Sequence, residues 1–106
     1  MEKVFVYGTL KQGKSLNKYY MGNSTFIKKD KVKGVMYSLG SYPGIMEGDN
    51  DVPGEIFEMP KEDFIRVKGM EESAGYKTKI VTTETGEKVK AFYYGSKLEG
   101  KIIKEW

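Results

Sequence analysis

The sequence predicts an α+β fold: a small, mixed but mostly antiparallel β-barrel with one or two helices, in a single domain over residues 1–106. Short segments rich in Val, Ile, Phe and Tyr, separated by Gly, Pro, Asn or Asp, outnumber the helical patterns. Strands and helices do not alternate along the chain, as they would in a doubly wound parallel sheet. No repeat or low-complexity linker divides the 106 residues, a length that suits one domain.

Strand-like composition occurs in six segments, at residues 2–7, 31–38, 44–47, 53–59, 76–83 and 88–95. Between the last two, Gly86 is expected to supply the positive φ of a hairpin turn. One helix is predicted from Pro60, which suits a first helical turn, to about Glu72. A shorter helix is expected over residues 15–21.

Cysteine and histidine are both absent, which excludes several classes of chemistry. These are a disulfide framework, a Cys/His zinc site, a thiolate nucleophile and a Ser-His-Asp triad. Any catalysis must use a carboxylate, a lysine, a tyrosine, a hydroxyl group or backbone dipoles, and Glu or Asp is the commonest proton carrier among them. No metal site is expected: Asp49-Asn50-Asp51 indicates a turn, because Pro53 stands where a calcium loop needs an oxygen ligand.

We expect a cytoplasmic protein. No apolar run approaches the ~20 residues of a membrane span, and the N-terminus lacks a signal-peptide core. The net charge is a mild +3, and the basic segment over residues 28–33 is more typical of a solvated strand flank than of a nucleic-acid surface. Neither a nucleic acid nor a membrane is an expected partner, and the oligomeric state stays open.

The most informative motif lies at residues 4–15 and is compatible with two kinds of site. An apolar run enters Tyr7-Gly8-Thr9-Leu10 as a buried strand enters a tight binding turn. The spacing from Gly8 to Ser15 also matches the phosphate-loop pattern G-x-x-x-x-G-K-S/T. The phosphate loop is disfavoured, because such a loop opens a long helix on a parallel sheet, whereas this chain reaches Gly22 within two turns.

A set of ordered segments extends this motif over about residues 4 to 94. The further segments are Gly34-Val35-Met36-Tyr37-Ser38-Leu39, Tyr42-Pro43-Gly44-Ile45, Val52-Pro53-Gly54-Glu55-Ile56-Phe57-Glu58-Met59, Met70-Glu71 with Tyr76, and Ala91-Phe92-Tyr93-Tyr94. In this order they resemble the gamma-glutamylcyclotransferase-like family, which includes plant avirulence-induced gene 2 proteins and bacterial cyclotransferases. The resemblance implies an intramolecular aminolysis that converts a γ-glutamyl amine or γ-glutamyl amino acid to 5-oxoproline and a free amine. It thereby implies a small-molecule substrate as the partner and no cofactor.

The resemblance also implies roles for particular residues. Glu71 is the expected general acid/base, which takes a proton from the attacking α-ammonium group and gives one to the leaving nitrogen. Tyr7, Gly8, Thr9 and Leu10 are the expected pocket floor, where backbone N–H groups bind the substrate's carboxylate or carbonyl. Two neighbours of this loop and one strand residue are further candidates for substrate binding: Lys11, Gln12 and Tyr94.

Helical periodicity bears on Glu71 separately. At about 100° per residue, Glu71 lies near the centre of a broad apolar arc formed by Phe64, Ile65, Val67 and Met70. A carboxylate on a core-facing stripe is desolvated, which raises its pKa towards neutrality. The pattern alone leaves open a helix that frays at Gly69 with both glutamates solvated, and the resemblance favours Glu71.

Two positions near Glu71 depart from the family pattern. Lys68 replaces an aspartate and Glu72 replaces a glycine. Lys68 falls within the same predicted arc, and pairing with Glu71 would lower the pKa of that glutamate. The alternative function is therefore a catalytically silent module that binds a small ligand in the same pocket. The leaving amine is not identified by the sequence.

Overall fold

The computed structural model describes residues 1–95 and 100–106, which form an α+β fold. The elements in chain order are β1 (Glu2–Val6), α1 (Asn17–Tyr20), β2 (Thr25–Ser38), β3 (Pro43–Met59), α2 (Lys61–Ser73), β4 (Tyr76–Thr82), β5 (Lys88–Tyr94) and β6 (Ile102–Ile103). In this part of the chain no helix is long and apolar enough to cross a membrane.

The described strands form one sheet in the order β4-β5-β1-β3-β2-β6. All neighbouring strands pair antiparallel except β1 and β5, which run parallel where Val4 pairs with Lys90. The predicted α+β class and the mixed, mostly antiparallel sheet are confirmed. The sheet is open rather than closed, so "barrel" describes its curvature too strongly.

The long β2–β3 ribbon differs most from the prediction. The sequence predicts β2 from residue 31, but the strand begins at Thr25. The two segments predicted over 44–47 and 53–59 belong to one strand, β3. A bulge separates the two segments: Gly34 pairs with Asn50 whereas the next residue, Val35, pairs with Met46, so residues 47–49 of β3 have no partner in the ladder. These bulge residues have the polar composition of a turn, which is why the sequence predicted two strands.

Helix α2 begins directly after Pro60, as predicted, and ends at Ser73. It buries Phe64 and Val67 against the sheet, but Ile65 is 58% exposed, so its predicted place in the apolar arc is wrong. Without Ile65 the arc narrows, still includes Glu71 and no longer includes Lys68. The helix predicted over residues 15–21 is confined to the four residues of α1.

Strand β1 supplies alternate side chains to two apolar cores. Val4 and Val6 pack with Phe64 and Val67 of α2, whereas Phe5 and Tyr7 pack on the opposite face of the sheet. The chain that leaves β1 therefore emerges between two packed layers. This position fixes the start of the loop that follows Val6.

The β4–β5 hairpin forms as predicted, with Gly86 at φ 92°. Backbone bonds from Thr83 N–H to the Glu87 carbonyl and from Gly86 N–H to the Thr83 carbonyl close its turn. Strand β6 has no counterpart in the prediction, because its two residues are too few to give a periodic pattern.

Candidate functional site

A cavity of about 350 Å³ opens at the end of β1, between the loop that follows this strand, helix α2 and the turn that precedes β3. Its described lining consists of Phe5, Val6, Tyr7, Gly8, Thr9, Leu10, Ser15, Leu16, Ser41, Tyr42, Pro43, Met70, Glu71, Ala74, Tyr76 and Phe92. Among these residues Glu71 alone carries a carboxylate, and none is a lysine or an arginine. The site is thus an apolar cavity with a single ionisable acid, a common form for small-molecule sites.

Burial governs the electrostatics of Glu71. No hydrogen-bond donor among the described residues reaches its carboxylate, and desolvation raises its pKa from 4.5 to about 7. Such a group exists in both protonation states near neutral pH. It can therefore accept a proton in one step of a reaction and donate it in the next.

The expected ion pair between Lys68 and Glu71 is wrong. Lys68 Nζ lies 3.0 Å from Glu72 Oε1. The hydroxyl of Thr78 donates to the other oxygen of Glu72 at 3.1 Å, and the hydrogen bond from Lys68 lowers the pKa of Glu72. Lys68 thus engages the solvated glutamate and leaves Glu71 unpaired.

The loop after β1 turns its carbonyl groups towards other protein donors. The Gly8 carbonyl accepts from Lys11 N–H at 3.0 Å, and the Thr9 carbonyl accepts from Leu16 N–H at 3.0 Å. The Leu10 carbonyl accepts from Asn17 Nδ2 at 2.8 Å. By contrast, the backbone N–H groups of residues 8–10 have no acceptor within the described chain. Three adjacent donors are therefore free to bind a ligand at the cavity wall.

Gly8 is required by a close approach at this wall. A Cβ atom at position 8 would lie 2.6 Å from Pro43 Cγ and 2.7 Å from Pro43 Cδ. Any side chain would force the turn before β3 away from the loop. The glycine thus keeps two walls of the cavity in contact.

Two buried tyrosines contribute rings to the cavity and use their hydroxyl groups within the fold. The Tyr7 hydroxyl donates to the Phe92 carbonyl at 2.7 Å, and the Tyr76 hydroxyl donates to the Pro43 carbonyl. Burial, with a further contribution from the charge of Glu71, raises the pKa of each phenol well above its usual value. Both phenols therefore stay neutral at physiological pH.

The structure brings five of the predicted site residues to the cavity and leaves three outside its lining. Tyr7, Gly8, Thr9, Leu10 and Glu71 line it together. Lys11 Nζ instead contacts the Trp106 carbonyl at 3.3 Å. The Gln12 side chain is exposed and its N–H donates to Glu55, while Tyr94 packs behind Tyr76 with ring centroids 5.2 Å apart.

The sequence assigned no site role to the wall formed by Ser41, Tyr42, Pro43 and Tyr76. Tyr42 and Tyr76 lie with ring centroids 6.5 Å apart, and the Tyr76 hydroxyl donates to the carbonyl of Pro43, the residue that follows Tyr42. All of them except Ser41 fall in segments that resemble the family, and that resemblance was the sequence signal that could have assigned them to the site. An aromatic residue on a strand is more often part of the core, so the pattern alone did not distinguish them.

No group of three or more acidic residues that could hold a metal occurs among residues 1–95 and 100–106. The described chemistry of the cavity is accordingly one carboxylic acid and a set of backbone donors. That combination can transfer a proton and stabilise a developing oxyanion.

The fold and the site together define a small α+β domain with one desolvated glutamate beside a loop that presents backbone N–H donors. The chain belongs to the gamma-glutamyl cyclotransferase, AIG2-like family, whose model matches residues 4–105.

Individual relatives agree with this assignment. A protein of Pyrococcus horikoshii, provisionally named a gamma-glutamylcyclotransferase, is 35% identical over 104 residues, which is 96% of this chain and 86% of the relative. The gamma-L-glutamyl-butirosin B gamma-glutamyl cyclotransferase of Niallia circulans is 33% identical over 76 residues, which is 71% of this chain and 49% of that protein.

Solved structures share the fold. A crystal structure of a Pyrococcus horikoshii protein superposes with a TM-score of 0.85 at 33% identity, covering 98% of this chain and 86% of the other. An AIG2-like protein from Mus musculus gives a TM-score of 0.77 at 20% identity, over 100% of this chain and 88% of the other. The mouse protein is similar in fold alone.

Proposed function

We propose that this protein is a cyclotransferase that converts a γ-glutamyl amine or a γ-glutamyl amino acid to 5-oxoproline and the free amine. The observation that carries the proposal is the unpaired Glu71, with a pKa of about 7, in one cavity with three free backbone N–H groups. Membership of the family supports the reaction class. The relative from Niallia circulans is itself named for a cyclotransferase reaction on a γ-glutamyl compound.

The reaction begins when the Glu71 carboxylate takes a proton from the substrate's α-ammonium group. The resulting amine attacks the γ-carbonyl carbon of the same molecule, and the new carbon–nitrogen bond closes a five-membered ring. The tetrahedral intermediate then collapses with cleavage of the bond to the leaving nitrogen. That nitrogen receives the proton from Glu71, which returns to the carboxylate form. The ring nitrogen gives up its second proton to the departing amine, so that 5-oxoproline keeps one N–H and the amine leaves as an ammonium ion.

Backbone N–H groups of Gly8, Thr9 and Leu10 supply the donors for this reaction. In the proposed complex they bind the oxygen that becomes negatively charged as the ring closes, or the α-carboxylate of the glutamyl group. Removal of one oxyanion-binding donor, an asparagine side chain in a well-studied enzyme, costs roughly 100- to 1,000-fold in rate. The apolar lining strengthens these bonds because it lowers the local dielectric constant.

The proposed partner is a small γ-glutamyl molecule in the cytoplasm, and the reaction as written needs no metal or organic cofactor. Because Lys68 pairs with Glu72, the observation that motivated a silent binding module no longer supports it.

A panel of γ-glutamyl amines and γ-glutamyl amino acids, each incubated with the purified protein, tests the proposal. We expect 5-oxoproline and one equivalent of free amine from at least one compound. If no compound in the panel yields 5-oxoproline, the proposal that this protein is a cyclotransferase is rejected. If a compound then raises the melting temperature without turnover, the silent module becomes the better description.

A further inference from the structure

A second cavity, of about 310 Å³, adjoins the far end of the loop that follows β1. In contrast to the apolar cavity, much of its described lining is charged, and three of these charged side chains are almost completely buried. Their exposed fractions are 8% for Lys11, 6% for Asp30 and 8% for Glu55. Buried charges are costly unless they serve the fold or a site, so each requires an account.

Two of the three are explained by contacts within the fold. Asp30 accepts hydrogen bonds from Thr83 and Thr85 in the β4–β5 turn. Lys11 donates to the Trp106 carbonyl at 3.3 Å. The remaining side chain is Glu55, which lies in the buried C-terminal part of β3, where an apolar residue would pack at lower cost.

Glu55 contacts both ends of the loop after β1. Its backbone pairs with Val6, the last residue of β1, in the antiparallel ladder. Its Oε1 atom accepts the backbone N–H of Gln12 at 2.8 Å. One residue of β3 therefore fixes the chain immediately before and immediately after residues 7–11.

We propose that Glu55 is a positioning residue for the reaction: it holds the loop so that the N–H groups of residues 8–10 stay directed at the substrate. This inference rests on the proposed cyclotransferase function. Preorganised donors stabilise a developing oxyanion because they need not reorient during the reaction. A glutamate suits this task, because its side chain is long enough for a terminal oxygen to reach the Gln12 N–H from β3.

The test separates the reach of the Glu55 side chain from its charge. Glu55→Gln keeps an acceptor oxygen at the same distance and removes the charge, whereas Glu55→Asp keeps the charge and withdraws the acceptor by one methylene group. We expect kcat/KM to fall roughly 10- to 100-fold in Glu55→Asp and Glu55→Ala, because a displacement of about 1 Å has effects of this size. Glu55→Gln should stay within a few-fold of the parent.

Glu58→Ala is the matched control. Glu58 lies three residues further along β3, pairs in the ladder with Lys3 and is remote from the loop. Its replacement should leave kcat/KM unchanged. All variants are compared only after circular dichroism and melting curves show a folded protein, and Glu55→Asp decides the matter if Glu55→Ala does not fold.

Two readouts distinguish positioning from a general loss of structure. Amide hydrogen exchange at residues 8–12 should accelerate in Glu55→Asp, while protection of β1 and β3 remains. The pH at which the rate is half-maximal should not move, because Glu71 is untouched. Equal rates for Glu55→Asp and the parent, or equal losses for Glu55→Gln and Glu55→Asp, would overturn the proposal.

Failure of the cyclotransferase function would be recognised separately. Amide exchange does not require turnover, so it reports on the loop even if the parent forms no 5-oxoproline. If the parent forms no 5-oxoproline, the cyclotransferase function is rejected, and the positioning role with it. Accelerated exchange in Glu55→Asp would then show only that Glu55 is a structural anchor of the loop.

Discussion

Glu71 and Asp30 are both carboxylates withdrawn from solvent, and their surroundings are opposite. Burial would raise the pKa of Asp30, but hydrogen bonds from Thr83, Thr85 and backbone N–H groups outweigh it and lower that pKa. Both threonine hydroxyls lie 2.6 Å from Oδ2, and Lys31 N–H lies 2.8 Å from Oδ1. Glu71 has no such donor in the described chain, and its pKa rises to about 7.

Burial alone does not decide what a carboxylate does. Asp30 is held in its charged form and uses that charge to tie β2 to the β4–β5 turn. Glu71 is left poised between its two forms, which is a poor arrangement for stability and a good one for proton transfer. The number of donors around each group therefore separates the structural acid from the candidate catalytic acid.

The largest expected effect is on turnover. Glu71→Gln keeps the size of the side chain but cannot accept a proton, so 5-oxoproline release should fall by ~100- to 10,000-fold. Glu72→Gln is the control and should change the rate only modestly, because its carboxylate is exposed and paired with Lys68. Full activity in Glu71→Gln, with loss in Glu72→Gln, would exchange the two roles.

The same substitution should change how stability depends on pH. The pKa of Glu71 is about 7 in the folded protein, against 4.5 for the model carboxyl, so folding favours its protonated form. Its contribution is fully present below 4.5 and is lost as the pH rises through about 7, a change of at most roughly 3 kcal/mol. Urea denaturation between pH 4 and 8 should show this decline in the parent and not in Glu71→Gln.

Asp30→Ala should lower stability and leave the pH dependence of the rate unchanged. Removal of this carboxylate leaves the buried Thr83 hydroxyl without an acceptor for its proton, although its oxygen still accepts the Glu87 N–H, and this should lower the free energy of unfolding by about 1–3 kcal/mol. Asp51→Ala removes an exposed ion pair with Lys33 and should cost less than about 1 kcal/mol. The comparison of the two acids fails if Asp30→Ala shifts the apparent pKa of the rate away from about 7.

Choice of substrate should reflect the lack of cations around Glu71. No described residue of the cavity lining is a lysine or an arginine, so a second carboxylate on the leaving amine would be buried unpaired. We expect γ-glutamyl-phenethylamine to be turned over about tenfold faster, in kcat/KM, than γ-glutamyl-phenylalanine, which differs by that carboxylate. The methyl ester of the latter should recover the faster rate. Equal rates for all three would show that the cavity supplies a partner.

The smallest effect is expected at Lys68. Its ion pair with Glu72 joins side chains that are 43% and 41% exposed, and such pairs contribute about 0.3–0.5 kcal/mol on a helix. Lys68→Ala should therefore lower stability only slightly and should not shift the pH profile of the rate. A rise in the apparent pKa of the rate in this variant would show instead that the Lys68 ammonium group lowers the pKa of Glu71 in the parent.

The sequence predicted elements whose signals are local. Helix α2 after Pro60 and the hairpin at Gly86 depend on residues within a few positions of each other. The continuity of β3 through its bulge was not predictable in this way, because only pairing with β2 shows that the polar segment remains in the sheet. Ile65 was misplaced since periodicity assigns an angle on the helix and not a neighbour.

In the site as well, local signals were readable from the sequence and long-range contacts were not. Glu71 and the Tyr7–Leu10 loop were predicted from a motif, whereas the environment of Asp30 was not. The partner of Asp30, Thr83, lies 53 residues away along the chain, and the local pattern shows only one acid in a basic segment. The pairing of Lys68 with Glu72 rather than Glu71 depended on the direction of the long, partly exposed Lys68 side chain, which helical periodicity does not determine.

The position of β1 between β3 and β5 has a consequence for how the site is assembled. The bond from the Tyr7 hydroxyl to the Phe92 carbonyl spans 85 residues, and β1 meets β5 in the sheet's parallel pair. Contacts so distant in sequence close late, because the entropy of a long loop must be overcome first. A growing chain that has made β1, β2, β3 and α2 still exposes one unpaired edge of β1, the kind of edge that recruits other strands. The residues that complete the cavity are thus also those that protect its first strand from aggregation during synthesis.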